Sequence, residues 1–215
     1  MKSLFIHAES GIDLTELVKK VDYKGKLGLV TTIQHFSKLK EIKRLIPNSV
    51  IGGQVIGCDM RRVKAIEKKV DAYLYIGSGN FHPLQIAMET GKKVIMADPY
   101  TGQISEIRNE EIEERKRRIK GAYLTFLHAE KIGILVSAKK GQNRLKDAQK
   151  LKNRLAKQKK ASYIFIFDTL DFIQLNNFPD IDCWVNTSCP RMAVEDADKF
   201  TRPVINIEDL EQQKV

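Results

Sequence analysis

The chain has 215 residues and a formal net charge of +10, and 42% of its residues are hydrophobic. This length and apolar content suit one large or two small domains with a proper core. Three cysteines are too few, and odd in number, for a disulfide framework. The apolar run near Met1 is too short for a signal peptide, and no run approaches the roughly 18 residues of a membrane span. We therefore expect a soluble protein of the reducing cytoplasm, without membrane contact.

The positive charge permits an acidic or nucleic-acid partner. The alternative is a lysine-rich surface that serves only solubility. The charges are spread along helical segments, without the interleaved aromatic residues that single-strand binders use. We therefore expect no direct contact with nucleic acid.

Short apolar runs alternate with amphipathic stretches along the first half of the chain. The predicted strands are Leu4–His7, Leu27–Thr31, Ala72–Ile76 and Lys93–Ala97. The predicted helices are Leu14–Val21, Phe36–Leu45, Met60–Lys69 and Leu84–Glu89. Val50–Ile51 and Val55–Ile56 flank a glycine pair, which predicts a bend or a short strand leading to Cys58.

The charged segment Ile104–Lys120 interrupts this alternation. Its glutamates and arginines lie one turn apart, which predicts a solvated linker helix. The alternation then restarts, with strands and helices at Lys131–Val136, Arg144–Lys157, Tyr163–Phe167, Asp168–Leu175, Cys183–Asn186 and Val204–Ile205.

The alternation predicts an α/β fold of two similar domains, each a small, mainly parallel sheet flanked by helices. We place them at residues 1–110 and 111–215, one on either side of the start of the charged helix. The order of elements is repeated in the two halves, which indicates an internal duplication.

Two cysteines, Cys58 and Cys189, each follow an apolar run where a strand is expected to end, and open α/β sheets build their sites there. Cys58 lies at a strand-to-helix junction, and Arg191 follows Cys189 by two residues. A thiol near a helix start or a cation has a lowered pKa and binds metals readily. The alternative is that both are small buried side chains. Cys183 lies inside an apolar run and is assigned to the core.

Three polar loops that follow predicted strands are candidate ligand contacts. The glycines of Gly77–His82 allow close approach of a ligand to the backbone. The loop Ser137–Gln142 offers hydroxyl, ammonium and amide groups near a helix start, which suits a carboxylate. Thr31–His35 follows a strand in the same topological position. Plain turns and surface side chains are the alternatives for all three.

Together these segments resemble the archaeal and eukaryotic diphthamide-synthesis 3-amino-3-carboxypropyltransferases, non-classical radical S-adenosylmethionine enzymes. The resembling segments are Leu27–His35, Gly53–Asp59, Tyr75–Pro83, Asp98–Gly102, Gly133–Gln142 and Asn186–Arg191. The resemblance implies three similar α/β domains, each donating one cysteine to a [4Fe–4S] cluster with an open iron for S-adenosylmethionine. The resulting 3-amino-3-carboxypropyl radical would add to a histidine of translation elongation factor 2.

By this resemblance, Cys58 and Cys189 are the cluster ligands of the second and third domains, and no further catalytic residue is assigned. The amino-acid part of S-adenosylmethionine is expected nearest Gln142 and Arg191. The full set of expected contacts is Thr31, Thr32, Gln34, His35, Gly77, Gly79, His82, Ser137, Gln142 and Arg191.

The resemblance covers only the second and third domains, so the cysteine of the first domain has no counterpart in the sequence. We expect a partner chain to supply it, in a homo- or hetero-oligomer that acts on elongation factor 2. One alternative is a non-catalytic scaffold of the same pathway that binds no cluster. Another is an unrelated α/β nucleotide-sugar enzyme, which leaves both cysteine segments unexplained.

Overall fold

The computed structural model of the chain describes residues 4, 6–57 and 59–213. The chain forms two compact units, which divide between Ile112 and Glu113. Each unit is a mainly parallel sheet with helices packed against it. The predicted fold class is therefore confirmed.

The first unit contains a five-stranded sheet of order β2-β1-β3-β4-β5, in which only β5 is antiparallel to its neighbour. Its strands are β1 Leu27–Thr31, β2 Ser49–Gln54, β3 Ala72–Ile76, β4 Val94–Asp98 and β5 Gln103–Glu106. Its helices are α1 Thr15–Lys19, α2 Leu39–Leu45, α3 Arg61–Ile66 and α4 Phe81–Thr90, with 3₁₀ segments at Ile33–Lys38 and Glu67–Lys69.

The two central strands, β1 and β3, are buried along their whole length because helices cover both faces of the sheet. Leu29 and Leu74 belong to the core on the side of α1 and α2. Val30 and Tyr73 belong to the core on the side of α3 and α4. Burial on both faces explains why these strands read as unbroken apolar runs in the sequence.

The second unit contains a fully parallel, four-stranded sheet of order β7-β6-β8-β9. Its strands are β6 Lys131–Ser137, β7 Ala161–Phe167, β8 Cys183–Asn186 and β9 Val204–Asn206. The helices are α5 Asn109–His128, which begins in the first unit, α6 Leu145–Lys157 and α7 Ile207–Gln212. Short 3₁₀ segments lie at Ile173–Asn177, Pro190–Ala193 and Ala197–Lys199.

Both sheets place their first four strands in the same order, with the second strand at the edge and the first beside it. A glycine of the first strand also faces an aromatic ring of the third strand in both units. Gly28 pairs with Tyr73 and Gly133 with Trp184, and a Cβ atom on either glycine would lie within 3 Å of that ring. This shared packing detail supports the internal duplication that the sequence indicates.

Several segments of the chain differ from the sequence-based expectation. Of the predicted helix Asp168–Leu175, only Ile173–Leu175 are helical, within a 3₁₀ segment. Of the predicted strand Leu4–His7, Phe5 lies outside the described residues, and Leu4, Ile6 and His7 are not in a strand. Leu4 and Ile6 are 86% and 84% exposed, and neither pairs with a described strand.

The charged segment Ile104–Lys120 is also more than a solvated linker helix. Its first residues belong to β5, which folds back along β4. Arg115 and Ile119 of α5 are buried, so one face of the helix packs into the second unit. The expected pairs one turn apart are present on the exposed face, between Glu114 and Arg118 and between Glu113 and Lys116.

The glycine pair before Cys58 lies within one strand, β2, rather than in a bend. The pairing register with β1 shifts between Leu29 and Val30, and Gly53 has a φ of 95°, which glycine adopts without strain. Cys58 itself lies outside the described residues. Across the described part of the chain, we find no helix with both the length and the apolar character of a membrane span.

The contact between Gly133 and Trp184 gives a test of the second core. In Gly133→Ala, the new methyl would lie 2.2 Å from a ring carbon of Trp184, and Trp184 is 1% exposed and buried between sheet and loops. We expect a loss of about 1–3 kcal/mol in unfolding free energy from overpacking. Urea unfolding followed by the fluorescence of this single tryptophan measures it.

Gly121→Ala is the matched control, because Gly121 lies within α5 with no atom within 4 Å of its added Cβ. It should be neutral or stabilising by up to about 1 kcal/mol through helix propensity. Equal stability of the two variants would contradict the packing described for Gly133.

Candidate functional site

The loops that follow β1, β3 and β4 lie side by side at the carboxyl edge of the first sheet. The hydroxyl of Thr31 donates to the carbonyl of Ile76 at 2.6 Å, and the N–H of Gly77 donates to the carbonyl of Ala97 at 3.1 Å. Parallel pairing places all these strand ends on one edge, where open α/β sheets bind ligands. The structure thus places the starts of Thr31–His35 and Gly77–His82, two of the predicted ligand loops, next to each other.

The turn after β3 is shaped by two glycines in positive-φ conformations. Gly77 has a φ of 153° and Gly79 a φ of 76°. A Cβ on Gly77 would lie 2.7 Å from the hydroxyl oxygen of Tyr75, so a larger residue would strain the turn. Gly79 has open space around it, which leaves its backbone accessible to a ligand.

His82 lies in the first turn of α4, directly after this glycine turn. Its ring stacks on Tyr75 with 5.9 Å between centroids and meets the edge of Phe81. The Tyr75 hydroxyl lies 3.5 Å from its Nδ1 atom. These contacts fix the imidazole while leaving it half-buried at the sheet edge.

The loop after β2 reaches the same first turn of α4. A Cβ on Gly57 would lie 2.0 Å from a ring carbon of Phe81, so the backbone of Gly57 packs directly on that ring. Only glycine permits this approach. Although Cys58 lies outside the described residues, the residue before it is therefore placed beside the turn that carries His82.

His35 is the most buried titratable group among the expected contacts in the first unit. Its side chain is 2% exposed, and no described residue makes a hydrogen bond to its Nδ1. Burial, and secondarily the charge of Lys38, lowers its pKa, which favours the neutral ring. Thr32 is half-buried and Gln34 exposed, and the Gln34 carbonyl accepts from the N–H of Ser10 at 2.9 Å.

The two described cysteines have opposite environments. Cys183 lies in β8, is fully buried in the core under α6, and burial raises the pKa of its thiol to about 12. Cys189 is half-buried in the turn after β8. The assignment of Cys183 to the core is confirmed, and Cys189 is the described thiol whose exposure suits a metal ligand.

The Cys189 turn, Cys189–Ala193, is held by polar side chains. The side-chain amide of Asn186 donates to the Cys189 carbonyl at 2.8 Å, and that of Asn206 donates to the Pro190 carbonyl at 3.1 Å. Asn206 and two further residues behind the turn, Arg115 and Asp209, were not singled out from the sequence. Their only sequence signal is the presence of polar residues at the end of an apolar strand and in largely polar helices.

The other expected contacts of the second unit lie at the same edge of its sheet. Ser137 ends β6, is 1% exposed, and its hydroxyl oxygen accepts from the N–H of Lys139 at 3.1 Å. Gln142 is exposed in the following turn. Arg191 is exposed and pairs with Glu195, a hydrogen bond that raises the pKa of the guanidinium.

No group of three or more histidine, cysteine or carboxylate side chains that could hold a metal occurs within residues 4, 6–57 and 59–213. Of the two described thiols, Cys189 is the one exposed enough to serve as a metal donor. Cys58 falls in the gap between the described ranges.

Comparison with known proteins identifies the family. The family model described as "Putative diphthamide synthesis protein" matches residues 1–213. The chain belongs to this family. The match confirms the resemblance drawn from the sequence segments and argues against an unrelated nucleotide-sugar enzyme.

Curated relatives of the chain include two archaeal proteins named 2-(3-amino-3-carboxypropyl)histidine synthase. The one from Pyrococcus horikoshii is 32% identical over 97% of this chain and 64% of its own length. The one from Methanocaldococcus jannaschii is 28% identical over 92% of this chain and 54% of its own length. The chain thus spans between half and two thirds of the length of these relatives.

Two solved structures have the same fold. The crystal structure of Dph2 from Pyrococcus horikoshii matches with a TM-score of 0.83 and 30% identity, over 95% of this chain and 63% of that one. The structure of the same protein with a 4Fe-4S cluster matches with a TM-score of 0.79 and 28% identity.

The buried His35 makes stability depend on pH. Because its pKa in the folded state lies below the unfolded value of about 6.5, the unfolded state binds more protons. Stability should fall as the pH drops below about 6.5 and level off below the folded-state pKa. Urea unfolding followed by circular dichroism between pH 7.5 and pH 4.5, in wild type and His35→Leu, measures the unfolding free energy at each pH. If the variant shows the same dependence of unfolding free energy on pH as wild type, His35 is not its source.

The two described cysteines should differ in reactivity. Native protein treated with iodoacetamide and analysed by peptide mass spectrometry should show alkylation of Cys189 and protection of Cys183, since the Cys183 thiol is buried with a pKa of about 12. In urea both should react. Equal rates in the native protein would contradict the described burial of Cys183.

Proposed function

We propose that this chain is a component of a diphthamide synthase. In this role it takes part in transferring the 3-amino-3-carboxypropyl group of S-adenosylmethionine to a histidine of translation elongation factor 2. The observation that carries the proposal is the half-buried Cys189 in a side-chain-supported turn at the carboxyl edge of the second sheet, in a chain of this family.

We further propose that Cys58 and Cys189 are thiolate ligands of a [4Fe–4S] cluster. The donor chemistry fits, because iron–sulfur clusters take cysteine thiolates, and Cys189 is accessible whereas Cys183 is not. A relative whose structure carries such a cluster shares the fold. When bound, the cluster supplies the electron for reductive cleavage of S-adenosylmethionine.

The residues at the first sheet edge would bind and orient S-adenosylmethionine. Positive-φ Gly79 leaves its N–H and carbonyl open to polar groups of the ligand, and the half-buried ring of His82 offers a stacking surface. The neutral imidazole of His35 would accept or donate a hydrogen bond without adding charge. Gln142 and Arg191 remain our candidates for the carboxylate, with Arg191 sharing its charge between Glu195 and the ligand.

The proposed cluster needs a third thiolate. A cluster with one open iron uses three protein ligands, and this sequence has three cysteines, one of which is buried in a core. We propose that another polypeptide supplies the third ligand. The charge of +10 suits docking to an acidic partner, because complementary charge raises association rates.

Iron binding tests the ligand assignment. We would coexpress the chain anaerobically with a polypeptide carrying the additional cysteine domain of a longer relative, and measure iron and sulfide per complex. Cys58→Ser and Cys189→Ser should each lower cluster content several-fold, whereas Cys183→Ser, the matched control, should retain it. Full cluster content in Cys189→Ser would overturn the ligand assignment.

Group transfer tests the activity. With reductant and S-adenosylmethionine labelled in its carboxypropyl group, elongation factor 2 should gain label only when the partner polypeptide is present. Arg191→Lys keeps the charge but loses the planar fork of donors, so the KM for S-adenosylmethionine should rise several-fold. Stable association with the partner without iron or transfer would instead favour a non-catalytic scaffold. Full activity of the chain alone would overturn the requirement for a partner.

A further inference from the structure

A buried set of polar side chains in the second unit holds the Cys189 turn from behind. We infer that Arg115, Asp209, Asn206 and Asn186 are positioning residues for Cys189, acting through the backbone of its turn. The role of these residues in metal binding rests on the proposed function, because Cys189 is a cluster ligand only in that proposal. Their hydrogen bonds to the turn do not depend on it.

Three backbone carbonyls of the turn accept hydrogen bonds from side chains outside it. The Cys189 carbonyl accepts from Asn186 at 2.8 Å, the Pro190 carbonyl from Asn206 at 3.1 Å, and the Ala193 carbonyl from Nη1 of Arg115 at 3.2 Å. The donors come from the end of β8, the end of β9 and helix α5. Three separate elements therefore fix one five-residue segment.

The donors are also bonded to one another. The Asn186 amide donates to Oδ1 of Asn206 at 2.8 Å, and Asn206 donates to Oδ2 of Asp209 at 3.2 Å. Nη2 of Arg115 donates to the same carboxylate oxygen at 2.9 Å. The four side chains thus form a continuous hydrogen-bonded network, called the relay below, from α5 to Asn186 at the end of β8.

Ser188 binds to Asn186, the last side chain of the relay. Oδ1 of Asn186 accepts from the backbone N–H of Ser188 at 3.0 Å and from its hydroxyl at 2.8 Å. The side-chain amide of Asn186 therefore binds two consecutive residues, Ser188 and Cys189. This leaves the backbone at Cys189, with φ −64° and ψ 120°, little freedom to turn the Cα–Cβ bond.

All four side chains of the relay are buried. Asn186 and Asn206 are 1% and 3% exposed, and Arg115 and Asp209 are each 8% exposed. Burial lowers the pKa of Arg115, and the Asp209 carboxylate opposes that effect. Apolar residues of similar size often stabilise a fold as well as a buried ion pair does, so the burial of such a pair is not by itself explained by a gain in stability.

The relay fixes the backbone conformation of the Cys189 turn. Buried, fully bonded polar networks hold one arrangement of the backbone, and residues behind metal ligands set the orientation of those ligands. A thiolate shared with ligands from other segments must be held at a defined position before the metal arrives. The relay supplies that constraint to Cys189.

The test uses the whole chain without iron, and measures the rate of Cys189 alkylation by iodoacetamide with Cys183 as an internal reference. The variants are Asn206→Leu, which removes the centre of the relay, and the double variant Arg115→Met with Asp209→Leu, which removes both charges together. Each removes one of the three side-chain hydrogen bonds to the turn, together with bonds inside the relay, and should change the Cys189 rate roughly fivefold. The Cys183 rate should stay unchanged.

Arg118→Met is the matched control, because Arg118 lies one turn from Arg115 on α5 and pairs with Glu114 and Asp198 on the surface. It should leave the Cys189 rate as in wild type. Unchanged Cys189 rates in both relay variants would overturn the inference. Parallel increases at Cys183 in the double variant would also overturn it, because they would report general unfolding rather than a local change at Cys189. If Asn206→Leu does not fold, the double variant decides.

A second measurement separates this inference from the proposed function. In the cluster-loaded complex with its partner polypeptide, the relay variants should shift the cluster's electron paramagnetic resonance spectrum while retaining iron. An unchanged spectrum would overturn the inference for the loaded state. If wild type binds no iron, the proposed function fails, and the alkylation rates still decide whether the relay positions Cys189.

Discussion

Parallel pairing of the central strands is the constraint on which the candidate sites depend. Because β1, β3 and β4 run in one direction, their following loops meet at a single edge, and the same holds for β6, β8 and β9. Residues separated by tens of positions along the chain become neighbours there. The apolar burial that drives this pairing therefore also assembles the polar groups.

Position relative to the strand end decides the chemistry of the two described cysteines. Cys183 and Cys189 are six positions apart in the sequence, yet one begins β8 inside the core and the other follows it in a half-buried turn. Desolvation raises the pKa of the first thiol to about 12. Only the second is placed where a metal or a reagent can reach it.

The second unit combines a conventional apolar core with a buried polar relay at one edge. Leu151 and Leu155 of α6 pack against the sheet without polar partners, which is sufficient to hold the layers together. Asn186, Asn206 and the Arg115–Asp209 pair instead bond to each other and to the Cys189 turn. Packing thus stabilises the fold, while the polar groups fix one of its loops.

The sequence by itself determined the fold class, the central strands and the assignment of Cys183 to the core. Leu27–Thr31, Ala72–Ile76 and Cys183–Asn186 have the predicted bounds, because short apolar runs ending in glycine or polar residues are the direct signature of strands buried on both faces. Six segments taken together, those around Cys58 and Cys189 among them, indicated the family. These features depend on residues that are close together in the chain.

Only the tertiary structure decided which segments find partners. Local apolarity favoured a strand at Leu4–His7 and gave no sign of β5. Strand pairing is a property of two segments, and β5 pairs with β4 whereas the described residues of Leu4–His7 pair with no strand. The relay behind Cys189 is the clearer case. Arg115 and Asp209 are 94 positions apart and Asn186 and Asn206 are 20 apart, and they meet because the sheet and α5 pack against one another, which no local pattern of residues encodes.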